Sequence, residues 1–439
     1  MKENMGTMPE EETKRNTKGK RALAIGGALL ILFVGFVAGW LGAYFSVDSR
    51  LRNLGWMVNR VAGNYYQDVG KDDLYDRLFD ALELDKFCTH YLPEEYDRVK
   101  SESKGNNAGY GISLSAAEEK SRIYRVVGNS PAELAGLKSG MYLLAFGESE
   151  ETLATGTRDE LLKYLSEHDG CFLRFGYDAA GSDAQTKFVS RAGYLGSYCI
   201  YMDSEATFRF RGESKLVLEK MENEGGMSGL DGDTAYIRLT EFDGNAGDEF
   251  EACLKNMKAR GRKHLVIDLR SNGGGYLSTL CEIASHLLRE AEGTRPIVAT
   301  ARYRSGARST YRATGNDFSA YFSADSRVRV LLDENSASAS EALVGAMIDY
   351  GTLKPGDIYA RLSGDPAGED PAHSYGKGVM QSTFVAPNGN ALRLTVAEIF
   401  WPKGTSIHGT GIGAAHGVIP VDAPLLPAGE DAFLAQVFS

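Results

Sequence analysis

Apolar residues recur every three or four positions in "LRNLGWMVNRVAGNYY" (51–66) and "DDLYDRLFDALELDKF" (72–87). That spacing predicts helices, so residues 47–100 read as a helical lead-in. The pattern changes after the turn-rich "SESKGNNAGYG". "YGISLS", "RIYRVV", "YLLAFG" and "FLRFGY" are strand-like, and "RDELLKYLSEHD" is helical, which outlines a β-rich module over 105–180. Beyond residue 186 strands and helices alternate. "TAYIRLTEF", "KHLVIDLR" and "VRVLLDE" predict strands, while "AGDEFEACLKNMKARG", "YLSTLCEIASHLLRE" and "SASASEALVGAMIDY" predict helices, with Gly261 and Gly351 as stops for the first and last. The expected fold class is a multidomain α+β and α/β chain, with ligands near the strand ends of an α/β core at 186–439. "SGDPAGEDPAH" (363–373) reads as an exposed loop.

The N-terminus adds a different element. "KRNTKGKR" (14–21) carries five positive charges, and Ala22–Phe45 follows without a charge. As a helix this run would rise roughly 36 Å, against a bilayer core of about 30 Å. Residues 1–21 are expected as a cytoplasmic tail and 22–46 as a transmembrane helix. Trp40 and Tyr44 would lie at the far interface and the remainder outside the cytoplasm. A cleaved signal peptide is the alternative, although the apolar run is longer than the usual signal core. With 439 residues and a net charge of −11, a large core is available and nucleic acid is excluded as the main partner. Five widely spaced cysteines without a CxxC pair read as buried thiols. Seven histidines without metal-ligand spacing imply no metal.

Candidate chemistry centres on "DENSASASEAL" (333–343). Ser338 and Glu341 form the Ser-x-x-Glu spacing of a capping box, which needs no catalysis. A serine at a helix start also has unpaired N–H groups and a positive dipole end beside it, which suits a nucleophile. Such a serine needs a base. No GxSxG elbow is present, and Lys377 in "SYGKGVMQ" is the candidate. Gln381, four residues on, would share a strand face with it and hold the amine. To work near neutrality the amine would need a pKa about 3 units below ~10.4, which burial can supply. An ordinary strand-end lysine is the alternative. "DLRSNGGGYL" (268–277) lacks a nucleotide-loop signature, but its glycines expose N–H groups. One of these, at or near Gly274, with the N–H of Ala339 would form an oxyanion hole.

"TAYIRLTEF", "LVIDLRSNGGG", "ENSASASEAL", "YGKGVMQ" and "LTVAEIFWPKGTSIHGTGI" occur in the order found in the C-terminal processing peptidases, the tail-specific S41-type Ser/Lys proteases. The resemblance covers nearly everything after residue 50. "YGISL…IYRVVGNSPAELAGLKSGMYLLAFGE" resembles the family's PDZ domain, and "LELDKFCTHYLPEEYDRV" its helical lead-in. The resemblance implies a crotonase-like (ClpP/crotonase-type) core, Ser338 as nucleophile, Lys377 as base and Gln381 as its orienting partner. It also implies polypeptide substrates with free C-termini and no cofactor. Gly109, Tyr110, Gly111 and Ile112 would form the carboxylate loop of the PDZ domain. Three departures stand out. Ser338 and Lys377 are 39 residues apart, longer than the family pattern, and the 363–373 loop fits the excess. The family's basic run before the last PDZ strand is replaced by "KYLSEHDG". Residues 200–231 have no clear counterpart. The expected function is therefore a membrane-anchored extracytoplasmic serine endopeptidase, with homodimerisation left open. Its rivals are a catalytically silent PDZ scaffold and a Ser/His hydrolase using His373, His408 or His416.

Overall fold

Strands Thr234–Leu239, His264–Asp268 and Val328–Asp333 are apolar and buried on both faces, as parallel strands covered on both sides must be. They form the centre of an eight-stranded sheet in this computed structural model. The structure describes residues 25–27, 29–42, 46, 48–64, 70–80, 84–115, 121–289, 293–316, 318, 321–322, 325–362, 372–421 and 437. Most of the 363–373 loop and the N-terminal basic tail therefore fall outside the described residues. The chain divides into two units, 1–84 and 85–439. The first contains helices Ser49–Asn64 and Lys71–Asp80, and an apolar helix over Ile25–Gly42. That helix has the length and composition of a membrane span or a signal sequence.

In the second unit the eight-stranded sheet runs in the spatial order Val217–Lys220, Thr207–Arg211, Cys199–Met202, Thr234–Leu239, His264–Asp268, Val328–Asp333, Ile358–Arg361, Val418–Pro420. The first four strands pair antiparallel and the rest parallel. Residues 200–231 thus form the antiparallel wing of this sheet. Helix Ala246–Ala259 buries Phe250, Cys253, Leu254 and Met257, a single stripe at helical spacing, and ends before Gly261 at φ +69°. Helices Leu277–Ser285 and Ala339–Asp349 follow the second and third central strands. A second sheet contains Ala391–Phe400 paired with Val379–Val385 and Ile297–Tyr303.

The β-rich module has its own core, built from Tyr110, Ile123, Leu137, Leu161, Leu173, Phe175 and Val189 among others. Thr157 and Glu160 form a complete capping box at the start of helix Arg158–Glu167. Strand Gln185–Ser190 pairs with Gly170–Gly176, so the module extends about ten residues past its expected end. The lead-in also departs from expectation. Its helical pattern stops before Asp85, and Thr89–Tyr91 joins the second sheet against Ala391–Arg393. Only Pro93–Glu102 resumes a helix, with Pro93 at its first turn.

Candidate active site

Strands His264–Asp268 and Val328–Asp333 are parallel neighbours, so the loops leaving their carboxyl ends meet. Asp333 stitches them together. Its carboxylate accepts from Ser271 N (2.8 Å) and Ser271 Oγ (2.9 Å), and from Asn335 N (3.0 Å). The three serines of "SASAS" then have different environments. Ser336 is fully buried. Its Oγ donates to Leu269 O (2.8 Å) and accepts from Asp333 N (3.0 Å). Ser340, also fully buried, donates to Asn272 O (3.0 Å). Both are staples between the two loops. Ser338 alone is partly exposed and faces a cleft of about 790 Å³.

Ser338 has φ +56° and ψ −110°, a conformation that costs a non-glycine residue on the order of 1–3 kcal/mol. Its hydroxyl caps no first-turn N–H group. The capping box expected from Ser-x-x-Glu is only half made: Glu341 Oε2 accepts from Ser338 N (2.8 Å), while the serine side chain is left for the cleft. Ala339 N, the first helical N–H, has no hydrogen-bond partner among the described residues.

Glu341 makes a second set of bonds. The same Oε2 accepts from Lys377 N (3.0 Å), and Oε1 accepts from Gly376 N (2.7 Å) and Ser374 Oγ. One buried carboxylate therefore holds the backbones of both Ser338 and Lys377. Burial raises the Glu341 pKa even against these bonds. Sequence reasoning saw this residue only as a helix cap.

Lys377 lies in the same cleft as Ser338, Ala339, Gly274 and Gln381. Burial, and then the neighbouring Arg393, push its pKa down, against the pull of Asp85 and Glu341. Its ammonium lies over the Phe87 ring, 4.6 Å from the centroid, and no hydrogen bond joins it to Ser338 Oγ. Gln381 does not hold it by strand parity. Lys377 precedes the strand Val379–Val385, and a bulge between Met380 and Gln381 shifts the register. The Gln381 amide donates instead to Thr395 Oγ1 (3.0 Å). Asp85, Phe87, Arg393 and Thr395 were not singled out in the sequence. The "LELDKF" helical pattern concealed the turn that brings the first two here.

In the glycine loop, Gly274 N donates to Asn272 Oδ1 (2.9 Å), whereas the N–H groups of Gly273 and Gly275 have no partner among the described residues. Gly274 packs so closely that a Cβ there would lie 2.8 Å from Ala339 N and from Ser338 Cβ. The far wall of the cleft includes Glu241, paired with Arg125 of the module, and Asp243, whose pKa burial raises to about 6. His373, His408 and His416 do not line the cleft, which leaves a Ser/His pairing without geometric support.

Gly109, Tyr110, Gly111 and Ile112 lie in the module, away from this cleft. Gly109 and Gly111 have φ +125° and +84°. Tyr110 is buried, its hydroxyl bonded to His168 O (2.7 Å), and Ile112 pairs with Val126. The N–H groups of Tyr110 and Gly111 have no partner among the described residues.

A half-buried lysine and a strained helix-start serine share one cleft beside a glycine loop, and a match to known proteins covers the serine and the loop but not the lysine. Residues 233–355 match peptidase family S41. Over that segment the chain is similar to this family. It is a serine-type peptidase. Relatives align over most of its length. The carboxyl-terminal-processing protease of Picosynechococcus sp. is 27% identical over 371 residues, covering 83% of this chain and 78% of the relative. The carboxy-terminal processing protease CtpB of Bacillus subtilis is 23% identical, covering 83% and 67%. Among solved structures, the photosystem II D1 C-terminal processing protease superposes with TM-score 0.49 at 19% identity, covering 85% of this chain and 88% of that one.

Proposed function

We propose that this peptidase is a membrane-anchored extracytoplasmic endopeptidase with a Ser/Lys dyad, cutting exported polypeptides whose free C-termini it engages through a PDZ domain. The observation that carries this reading is the uncapped, strained Ser338 in one cleft with a lysine of depressed pKa, both held by Glu341. In this reading neutral Lys377 takes the Ser338 proton as the hydroxyl attacks the peptide carbonyl, then returns it to the leaving amine. The amine first leaves the Phe87 face for the serine across the cleft they share. Gln381, its amide nitrogen occupied by Thr395, has a carbonyl oxygen left to orient that amine. Ala339 N–H and an N–H of the glycine loop stabilise the oxyanion. If Gly274 is that donor, it gives up Asn272 Oδ1.

The module is read as the PDZ domain because, within Gly109–Ile112, Tyr110 and Gly111 present unpartnered N–H groups where a carboxylate would dock. The helix at Ile25–Gly42 is read as a single span with a cytoplasmic N-terminus, from the basic segment before it. The test is cleavage of unstructured peptides by the full chain in detergent, with cuts mapped by mass spectrometry. Free-acid peptides should be cut at lower KM than C-terminally amidated ones, and Ser338→Ala should be inert. Equal KM for acid and amide removes the tail role. An active Ser338→Ala enzyme removes the nucleophile assignment. Protease added to intact cells should digest the region after residue 50; protection of that region removes the topology.

A further inference from the structure

Strand Thr234–Leu239 has two faces of opposite character. Ile237 and Leu239 enter the main core, whereas Tyr236, Arg238 and Thr240 face the β-rich module across a cavity of about 100 Å³. The module closes this cavity with Leu137 and Tyr177, and Lys138 is exposed at its mouth. It is separate from the Ser338 cleft.

Its charges do not balance. Arg270 is taken by Asp268 (Nη2–Oδ2 2.7 Å), which also accepts from Tyr236. Arg209 is taken by Glu133 and Glu224 (3.0 and 2.9 Å), and Arg211 also draws on Glu133. Three carboxylates thus serve three guanidiniums. Arg238 and Lys138 are left over: Asp268 and Glu224 act on them only at longer range, and Arg238 has no hydrogen bond or ion pair among the described residues. A half-buried guanidinium with no hydrogen-bonded partner is costly, and its planar fork suits a carboxylate. The remaining walls are apolar and aromatic: Ile200, Met202, Tyr177 and Tyr198. A cavity of about 150 Å³ admits benzene, with six non-hydrogen atoms, so this one of about 100 Å³ suits a smaller acid of roughly four or five.

We propose that the cavity between the module and the central sheet binds a small organic carboxylic acid, its carboxylate on Arg238 and its apolar body against Tyr177 and Met202. The site is independent of the catalytic reading above. The ligand touches both cores, so its binding should stabilise the fold by linkage.

The test is thermal unfolding and calorimetric titration of the full chain in detergent with propionate, with neutral propionamide and with inorganic phosphate. Propionate should raise the melting temperature saturably and propionamide should not. Arg238→Gln should weaken propionate binding at least tenfold. If Arg238→Gln fails to fold, Lys138→Glu, an exposed change at the mouth, should weaken it several-fold by placing an anion there. No propionate effect on the unmodified chain overturns the proposal. So does undiminished binding in the Arg238→Gln variant, or in the Lys138→Glu variant where that one is used, because the propionate then sits elsewhere. Phosphate binding as tight as propionate would overturn the assigned class.

Discussion

Replacing Glu341 tests whether one carboxylate aligns the catalytic pair. It accepts four hydrogen bonds, three from backbone N–H groups of Ser338, Gly376 and Lys377 and one from Ser374 Oγ. In Glu341→Gln the amide oxygen can occupy the Oε2 position and keep Ser338 N and Lys377 N. The amide NH₂ then faces Gly376 N–H, donor against donor, while Ser374 can rotate its hydroxyl to accept. The expected cost is one orphaned buried N–H, about 1–3 kcal/mol. Glu341→Ala orphans three such donors and should cost more than about 3 kcal/mol. The Gln variant also removes a negative charge that raises the Lys377 pKa, so the lysine should deprotonate at lower pH. The assay is a pair of measurements: thermal unfolding, and the pH dependence of kcat/KM on an unstructured peptide. Glu341→Gln should melt a few degrees lower and move the rising limb of activity to more acid pH. Unchanged melting and an unchanged profile in both variants would show that the carboxylate holds nothing that matters.

Lys377→Arg should abolish turnover, because guanidinium stays protonated. Between its depressed pKa and 10.5 the folded lysine is neutral while the unfolded one is charged, so the unfolded state binds more protons and stability rises with pH through that window. Lys377→Met removes the cost of burying the charge, and calorimetry at neutral pH should find it more stable than the parent, though inactive. Ser338→Gly should lose turnover yet gain about 1 kcal/mol in chemical denaturation, since glycine tolerates φ +56°; a loss of stability would contradict the strain. Gly111→Ala should unfold the module rather than weaken a ligand, because a Cβ there would lie 2.2 Å from Ser130 Cβ; limited proteolysis reads this, and an intact module would count against it.

Periodicity located the central strands and helices because both-face burial forces continuous apolar runs, and because Gly261 and Gly351 end helices at positive φ. It failed around Asp85–Tyr91. There a helical repeat of apolar residues continues in the sequence, but pairing with Ala391–Arg393 draws the chain into a strand. Ser338 and Lys377 were singled out by the order of the motifs around them, since locally each reads as well as a helix cap or an ordinary strand-end lysine. The role of Glu341 was not, since its second set of partners, Ser374 to Lys377, lies more than thirty residues away and no local pattern announces it. The strand parity offered for Gln381 fails for a related reason: Lys377 precedes the strand, and a bulge is invisible to counting by twos.

The clamp on Ser374 also bears on how this chain tolerates variation. Ser374 is pinned on both sides, donating to Glu341 and accepting from Ile412 N (2.8 Å), just as the chain returns from the long 363–373 segment. The position of Lys377 is therefore set afresh after that segment, not carried through it. Sequence length there is decoupled from catalytic geometry. The 39-residue interval between Ser338 and Lys377 becomes a free parameter of the scaffold, and a peptide tag or a small folded domain grafted between residues 363 and 371 would leave the lysine where the helix start holds it.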